Sequence, residues 1–343
     1  MSKKILICGH FANNQLSYDG QTIKTVNIYK ELLKKYDKEN ILIADTFFIK
    51  NKPLSFFLDI IKNVKSVDNV IILPAQRGVK ILIPFFNYLN KKKKFNIHYI
   101  VIGAWLPSII EKSNYLIKQL KKIDYIYIET VNTIKKMEKL GFTNVVQMNN
   151  FKQLNVSVYK YHKKKNFHFC IFSRIEYLKG INDAIFAINK INEKEDNKVF
   201  LDIFGKIKEE YKEEFFESIN NNKYIEYKGI IDSNKSVEAL EKYDALLFPT
   251  LFYTEGIPGT IIDAYFAGVP VISSRWENYS EVIDDGITGL TYEFAKKEEL
   301  AYLLFRIING EYNLEKMRDN CKKHALKYLP DNSLKILFDN LKK

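Results

Sequence analysis

At 343 residues, 46% hydrophobic and 14% aromatic, the chain exceeds one ordinary core and suggests two packed domains. Its three cysteines, Cys8, Cys170 and Cys321, are widely spaced; they argue against a disulfide framework or a zinc site and for a reducing compartment. The net charge of +12 sits wholly in one half: residues 1–150 hold 24 Lys and Arg against 11 Asp and Glu, and the remainder hold 29 against 30.

The start, MSKKILICGHF, contains an apolar run too short for a signal-peptide core. Short β-branched runs then alternate with longer amphipathic ones. Strands are predicted at Lys4–Cys8, Ile41–Ala44, Val70–Leu73, His98–Ile102, Tyr125–Ile128 and Val145–Met148, with helices at Thr22–Tyr36 and Ile109–Lys122. The stretch from Tyr99 to Ile110 is broken by Pro107 and Ser108 and falls short of a membrane span. A cytoplasmic location is expected.

The second half repeats the plan. Strands are predicted at Phe167–Phe172, Lys198–Phe204, Ile225–Lys228, Ala245–Pro249 and Val269–Ser273. Helices are predicted at Ile181–Asn192, Lys208–Asn220, Ser236–Lys242, Thr260–Ala267, Lys297–Asn309 and Tyr312–Leu326. Continuous apolar strands alternating with helices imply parallel sheets covered on both faces. The fold class is therefore α/β, with two Rossmann-like domains meeting near the polar connection Asn149–Asn155.

The richest segment is Phe248 to Gly289, FPTLFYTEGIPGTIIDAYFAGVPVISSRWENYSEVIDDGITG. Glu255 ends an apolar strand and loop. A turn with Gly256, Ile257, Pro258 and Gly259 follows, and a helix opens near Thr260 with Asp263 one turn in. Such a turn aims backbone N–H groups and the positive end of a helix at a phosphate. The two acids suit hydroxyl donors. Phosphate plus two sets of hydroxyls describes a nucleotide sugar.

The segment resembles the donor-site signature of the retaining GT-B glycosyltransferases of family 4, also called group 1. The matching positions are Glu255, Asp263, Ala267-Gly268-Val269-Pro270-Val271-Ile272, Glu281 and Gly286/Gly289. Arg174 and Lys179, after the predicted strand Phe167–Phe172, resemble that family's cation pair. The resemblance implies that both reach the donor diphosphate, where fixed cations stabilise the departing charge. It further implies that Glu255 holds sugar hydroxyls and Asp263 the ribose. Gly205 matches a turn near the nucleotide, or is a plain turn glycine. Two positions depart from the pattern: Asp263 stands where Glu is usual, and Pro258 where Gly is common. Proline donates no N–H, so phosphate amides must come from Ile257, Gly259 or Thr260.

The resemblance covers the second half well and the first loosely. It implies domains at residues 1–150 for acceptor and 151–330 for donor, with residues 331–343 returning to the first domain. Asp19-Gly20-Gln21-Thr22 resembles the loop that closes over the donor; Gly20 and Gln21 are its candidates. Asn13, Asn14, Ser17 and Gln21 offer neutral hydrogen bonds to hydroxyls. His10, in the same loop, is either structural or acceptor-binding. Trp105 is a candidate stacking platform for an acceptor, at a place where many members have a His. Glu129 ends a strand, either as acceptor ligand or base, or as a solvated acid.

The implied reaction moves a hexose-type sugar from a nucleoside diphosphate to a glycan or lipid-linked glycan hydroxyl, with retention and without metal or cofactor. Capsule or lipopolysaccharide assembly at the inner membrane face is the implied setting. The lysine excess fits an anionic membrane partner or plain solubility equally well, and no nucleic-acid motif accompanies it. A non-catalytic nucleotide-sugar binder, or another GT-B enzyme such as an epimerase, stands as the rival reading.

Overall fold

A computed structural model describes residues 3–14, 20–92, 94–162, 165–193, 198–232 and 234–343. The chain forms two compact units, Met1–Asn150 with Ser333–Lys343, and Phe151–Asn332.

The first unit contains strands β1 (Ile5–Gly9), β2 (Ile41–Asp45), β3 (Asn69–Ile72), β4 (Asn96–Ile100), β5 (Tyr125–Ile128) and β6 (Val145–Gln147). Its helices are α1 (Gly20–Leu33), α2 (Pro53–Asn63), α3 (Gln76–Leu89), α4 (Leu106–Ile110), α5 (Asn114–Leu120) and α6 (Val131–Lys139). The strands form one parallel sheet in the order β2-β1-β3-β4-β5-β6. β1 and β3 are buried along their whole length, whereas the edge strand β2 is only partly covered. That contrast is the apolar-run versus alternation signal expected of central and edge strands. Each fully buried Ile, Leu or Phe contributes about 1.5–3 kcal/mol.

The helix predicted over Ile109–Lys122 is two helices, α4 and α5. α4 stops at Ile110 with Glu111 as its cap, and Ser113 starts α5, its hydroxyl accepting from the Leu116 amide at 3.4 Å. A serine that caps locally competes with helix continuation.

The second unit contains β7 (Phe167–Phe172), β8 (Val199–Phe204), β9 (Ile225–Gly229), β10 (Ala245–Phe248), β11 (Val271–Ser274) and β12 (Gly289–Tyr292). Its helices are α7 (Ile181–Asn192), α8 (Lys212–Ile219), α9 (Ser236–Leu240), α10 (Gly259–Phe266), α11 (Lys297–Ile308), α12 (Leu314–Ala325) and α13 (Pro330–Ser333). The parallel sheet runs β12-β11-β10-β7-β8-β9. Alternate residues face opposite cores. Phe169, Ile171, Ala245 and Leu247 pack under α7 and α11, while Cys170, Leu246 and Phe248 pack against α10. Strand β12 was not predicted; its four residues, Gly-Leu-Thr-Tyr, carry too little pattern to register.

The strand order fixes where a ligand can sit. β7 connects onward to β8 on one side, and β10 connects to β11 on the other. Their following loops diverge, leaving a crevice at the carboxyl ends of β7 and β10. The chain ends in α14 (Lys335–Leu341), which belongs to the first unit. There Asn69 donates to the Leu341 carbonyl at 3.1 Å, and Asn340 donates to the Tyr127 hydroxyl at 3.2 Å.

Candidate active site

The crevice is built by backbone fit before any side chain enters it. Gly180 follows a short turn over Tyr177–Lys179 with φ 66°, and a Cβ there would lie 1.8 Å from the Pro249 carbonyl oxygen. Only glycine lets this turn press against the end of β10. Leu251 N–H then donates to the Leu178 carbonyl at 2.9 Å, tying the two loops together. Gly205 has φ 141°, and a Cβ there would lie 1.7 Å from the Ser173 carbonyl oxygen. It is a close-packing glycine that holds the end of β8 against the backbone just before Arg174.

This fit brings Lys179 and Glu255 into an ion pair, with side chains only 14% and 13% exposed. Thr250 donates to the same carboxylate oxygen at 3.2 Å. Asn278 donates to the Glu255 carbonyl at 2.7 Å and so fixes the loop backbone. Arg174 stands at the rim, 54% exposed, 3.1 Å from Glu176. The crevice thus holds one largely buried cation matched to Glu255 and one, beside Glu176, that stands half open to solvent.

Helix α10 opens after Pro258. Its first amides, Gly259 and Thr260 among them, lack intrahelical acceptors and present the positive end of the helix. Gly256 and Ile257 are buried in the turn before it. The Thr260 hydroxyl is buried and has no hydrogen-bond partner among the described residues.

Asp263 is placed differently from an open ribose ligand. It is 2% exposed, and Lys152 reaches its carboxylate at 3.0 and 3.1 Å. Burial pushes its carboxyl above the usual range, while the Lys152 charge and hydrogen bond and a Ser236 hydrogen bond pull it down. Lys152 also lies along the helix start, its Cε 3.2 Å from where a Cβ on Gly259 would be. Sequence reasoning placed Lys152 only in the connection between domains. A basic residue before the first strand of the second unit carries no local sign of a partner 111 residues away.

In the first unit the candidates follow β1, β4 and β5, at the carboxyl end of that sheet. The loop after β1 turns through Ala12 and Asn13, both left-handed at φ 53° and 49°. Asp45 holds it, accepting from Phe11 and Asn13 amides at 2.9 and 2.8 Å. His10 is half-buried, its Nδ1 3.4 Å from the Thr46 hydroxyl. Gly20 opens α1, and the Gln21 amide donates to the Leu73 carbonyl at 2.9 Å, pinning the helix to β3. Ser17 and Asp19 lie outside the described residues. Trp105 is 9% exposed, and its indole N–H donates to the Ile102 carbonyl at 2.7 Å. It packs as core rather than standing as an open platform. Glu129 is no solvated strand end. It is 3% exposed and paired with the equally buried Lys24 of α1. Among the described residues, no group of three His, Cys, Asp or Glu could hold a metal ion.

Residues 157–328, half of the chain, match the family described as Glycosyl transferases group 1. The chain belongs to the group 1 glycosyl transferases. An uncharacterized glycosyltransferase of Methanocaldococcus jannaschii is 23% identical over 166 residues, covering 48% of this chain and 41% of that protein. The chain therefore matches less than half the length of that relative. Among solved structures, Anabaena HepE in complex with UDP-glucose superposes with a TM-score of 0.77 at 12% identity, over 99% of both chains. The lipopolysaccharide outer core galactosyltransferase WaaB, in its apo form, gives 0.67 at 17% identity, over 99% of both chains. With two six-stranded parallel sheets, this group 1 glycosyl transferase has the two-domain Rossmann-like GT-B fold. Among its described residues, no helix is long and apolar enough to cross a membrane.

Proposed function

We propose that the chain transfers a hexose-type sugar from a nucleoside diphosphate sugar to a hydroxyl of a glycan or lipid-linked glycan, with retention. The observation that carries this reading is the Lys179–Glu255 pair beside the N-terminus of α10, at the point where the sheet order reverses. Anionic phosphates suit the helix start and the rim guanidinium of Arg174. Sugar hydroxyls suit Glu255, whose carboxylate Lys179 and Thr250 already hold in place.

The bond between the anomeric carbon and the β-phosphate oxygen breaks, and its electron pair goes to the phosphate. Arg174, Lys179 and the first amides of α10 stabilise that charge without reorganising solvent. The acceptor oxygen bonds to the anomeric carbon on the same face, and its proton passes to the departing phosphate oxygen. On this reading no metal or organic cofactor takes part, because protein cations supply the charge. The Lys152–Asp263 pair sets the helix start at the ribose end. Acceptor hydroxyls are assigned to the first unit, with His10 the accessible candidate. Its +13 charge over residues 1–150 supports a place at an anionic inner membrane face during surface polysaccharide assembly.

HepE was solved with UDP-glucose, which makes that donor the first to test. Incubation with UDP-glucose and a glycan acceptor, read by proton NMR, should yield a product with the donor's anomeric configuration. An inverted product contradicts retention. The Asp263 and Pro258 departures motivate one rival, a non-catalytic sugar-nucleotide binder; donor binding with no turnover across an acceptor panel selects it.

A further inference from the structure

A second concavity lies in the second unit, at the carboxyl ends of β11 and β12, bounded by α11. Its volume is about 420 Å³, within the range of small-molecule sites, roughly 300–1,000 Å³. Gly286 of the donor-site signature lines it, whereas Arg174, Lys179, Glu255 and Asp263 do not. The ring of Tyr302 stands 63% exposed on its wall. Arg306 lies against that ring at 5.8 Å and against Tyr312 at 5.0 Å. Across from them, Arg275 pairs with Glu293 at 2.6 Å. Tyr292 also lines the cavity. It is 4% exposed, and its hydroxyl is closed off from solvent with no hydrogen-bond partner among the described residues.

We propose that this cavity is a binding site for a neutral oligosaccharide, separate from the donor crevice. An exposed tyrosine face stacks on the apolar C–H face of a pyranose. Guanidinium and carboxylate held side by side give adjacent donors and acceptors, the pattern that vicinal hydroxyls need. Charge selects against acidic ligands. The lining holds three carboxylates, Asp285, Glu293 and Glu299, against two guanidiniums, each already paired with a carboxylate. Phe294, next to Glu293, packs its ring on Tyr253 at 5.1 Å, two residues before Glu255. The cavity therefore adjoins the loop that carries the donor-side acid, a place where a glycan chain is retained between transfers.

The test is a microarray of neutral and acidic oligosaccharides probed with the full chain, alongside UDP titration. Tyr302→Ala and Arg306→Gln change partly exposed side chains, and their thermal denaturation should match the parent. The expected result is binding to neutral glycans only, weakened tenfold or more in both variants, with UDP affinity unchanged. Arg174→Ala should show the reverse. No glycan bound, or glycan binding insensitive to both variants, overturns the proposal. Loss of glycan binding in Arg174→Ala also overturns it, because the ligand would then occupy the donor crevice. A failed donor assignment instead appears as absent UDP binding with glycan binding intact.

Discussion

Lys179 and Glu255, 76 residues apart in sequence, meet as a largely buried ion pair at the carboxyl ends of two neighbouring strands. Neither local sequence specifies the pair. It arises because Gly180 and Gly205 allow backbone contacts that no other residue permits.

Replacing either glycine tests that statement. Gly180→Ala and Gly205→Ala place a methyl into a carbonyl oxygen at 1.8 and 1.7 Å. The left-handed φ adds a strain of about 1–3 kcal/mol. Both should lower the chemical-denaturation midpoint strongly and weaken UDP binding. Gly310→Ala, at φ 81° with nothing within 4 Å, should cost only about 1 kcal/mol. Equal effects for all three would remove the close-approach argument.

Lys152 should matter through Asp263. Lys152→Met leaves a buried carboxylate unpaired, which costs about 3–5 kcal/mol when charge remains. The double variant Lys152→Met with Asp263→Asn should recover most of that loss. Urea denaturation of both, followed by a probe in the second unit, gives the comparison; no recovery means the pair is not coupled.

Glu129 should behave as a structural acid. Glu129→Ala strands the buried Lys24 ammonium and should destabilise the first unit by about 3–5 kcal/mol. Lys24→Met with Glu129→Leu should restore stability. An acceptor-binding Glu129 would instead lose turnover in both variants with stability unchanged in the first.

The first unit also carries a pH dependence. His98 is buried between Asn69 at 3.0 Å and Tyr127 at 2.9 Å. Burial chiefly, with Lys3 in support, lowers its pKa from 6.5 to about 3. The folded state thus holds His98 neutral while the unfolded state takes up a proton. Stability is full above the unfolded value and falls as pH drops from about 6.5 toward 3, by up to about 1.4 kcal/mol per pH unit. His98→Gln should flatten that slope in pH-dependent denaturation; an unchanged slope excludes His98 as its source.

Most of the architecture was legible in the sequence, because buried parallel strands such as Phe167–Phe172 and Tyr125–Ile128 are continuous apolar runs. β12 was not, since Gly289–Tyr292 is buried by its surroundings rather than marked by its own pattern. Within the candidate site, the order of Arg174, Lys179, Glu255 and Asp263 was visible as a signature. Their pairing was not. Lys152 stood out in the sequence only as part of the connection between domains, and Lys24 not at all, until the fold set each beside a buried acid. Trp105 read as an open platform because its carbonyl partner, Ile102, leaves no mark on composition.

The most direct test of the donor assignment is calorimetric titration of the full chain with UDP, repeated for Arg174→Ala and Lys179→Met. The account predicts saturable binding in the parent, weakened at least tenfold in each variant while the folded state persists. Undiminished UDP affinity in both variants would contradict it.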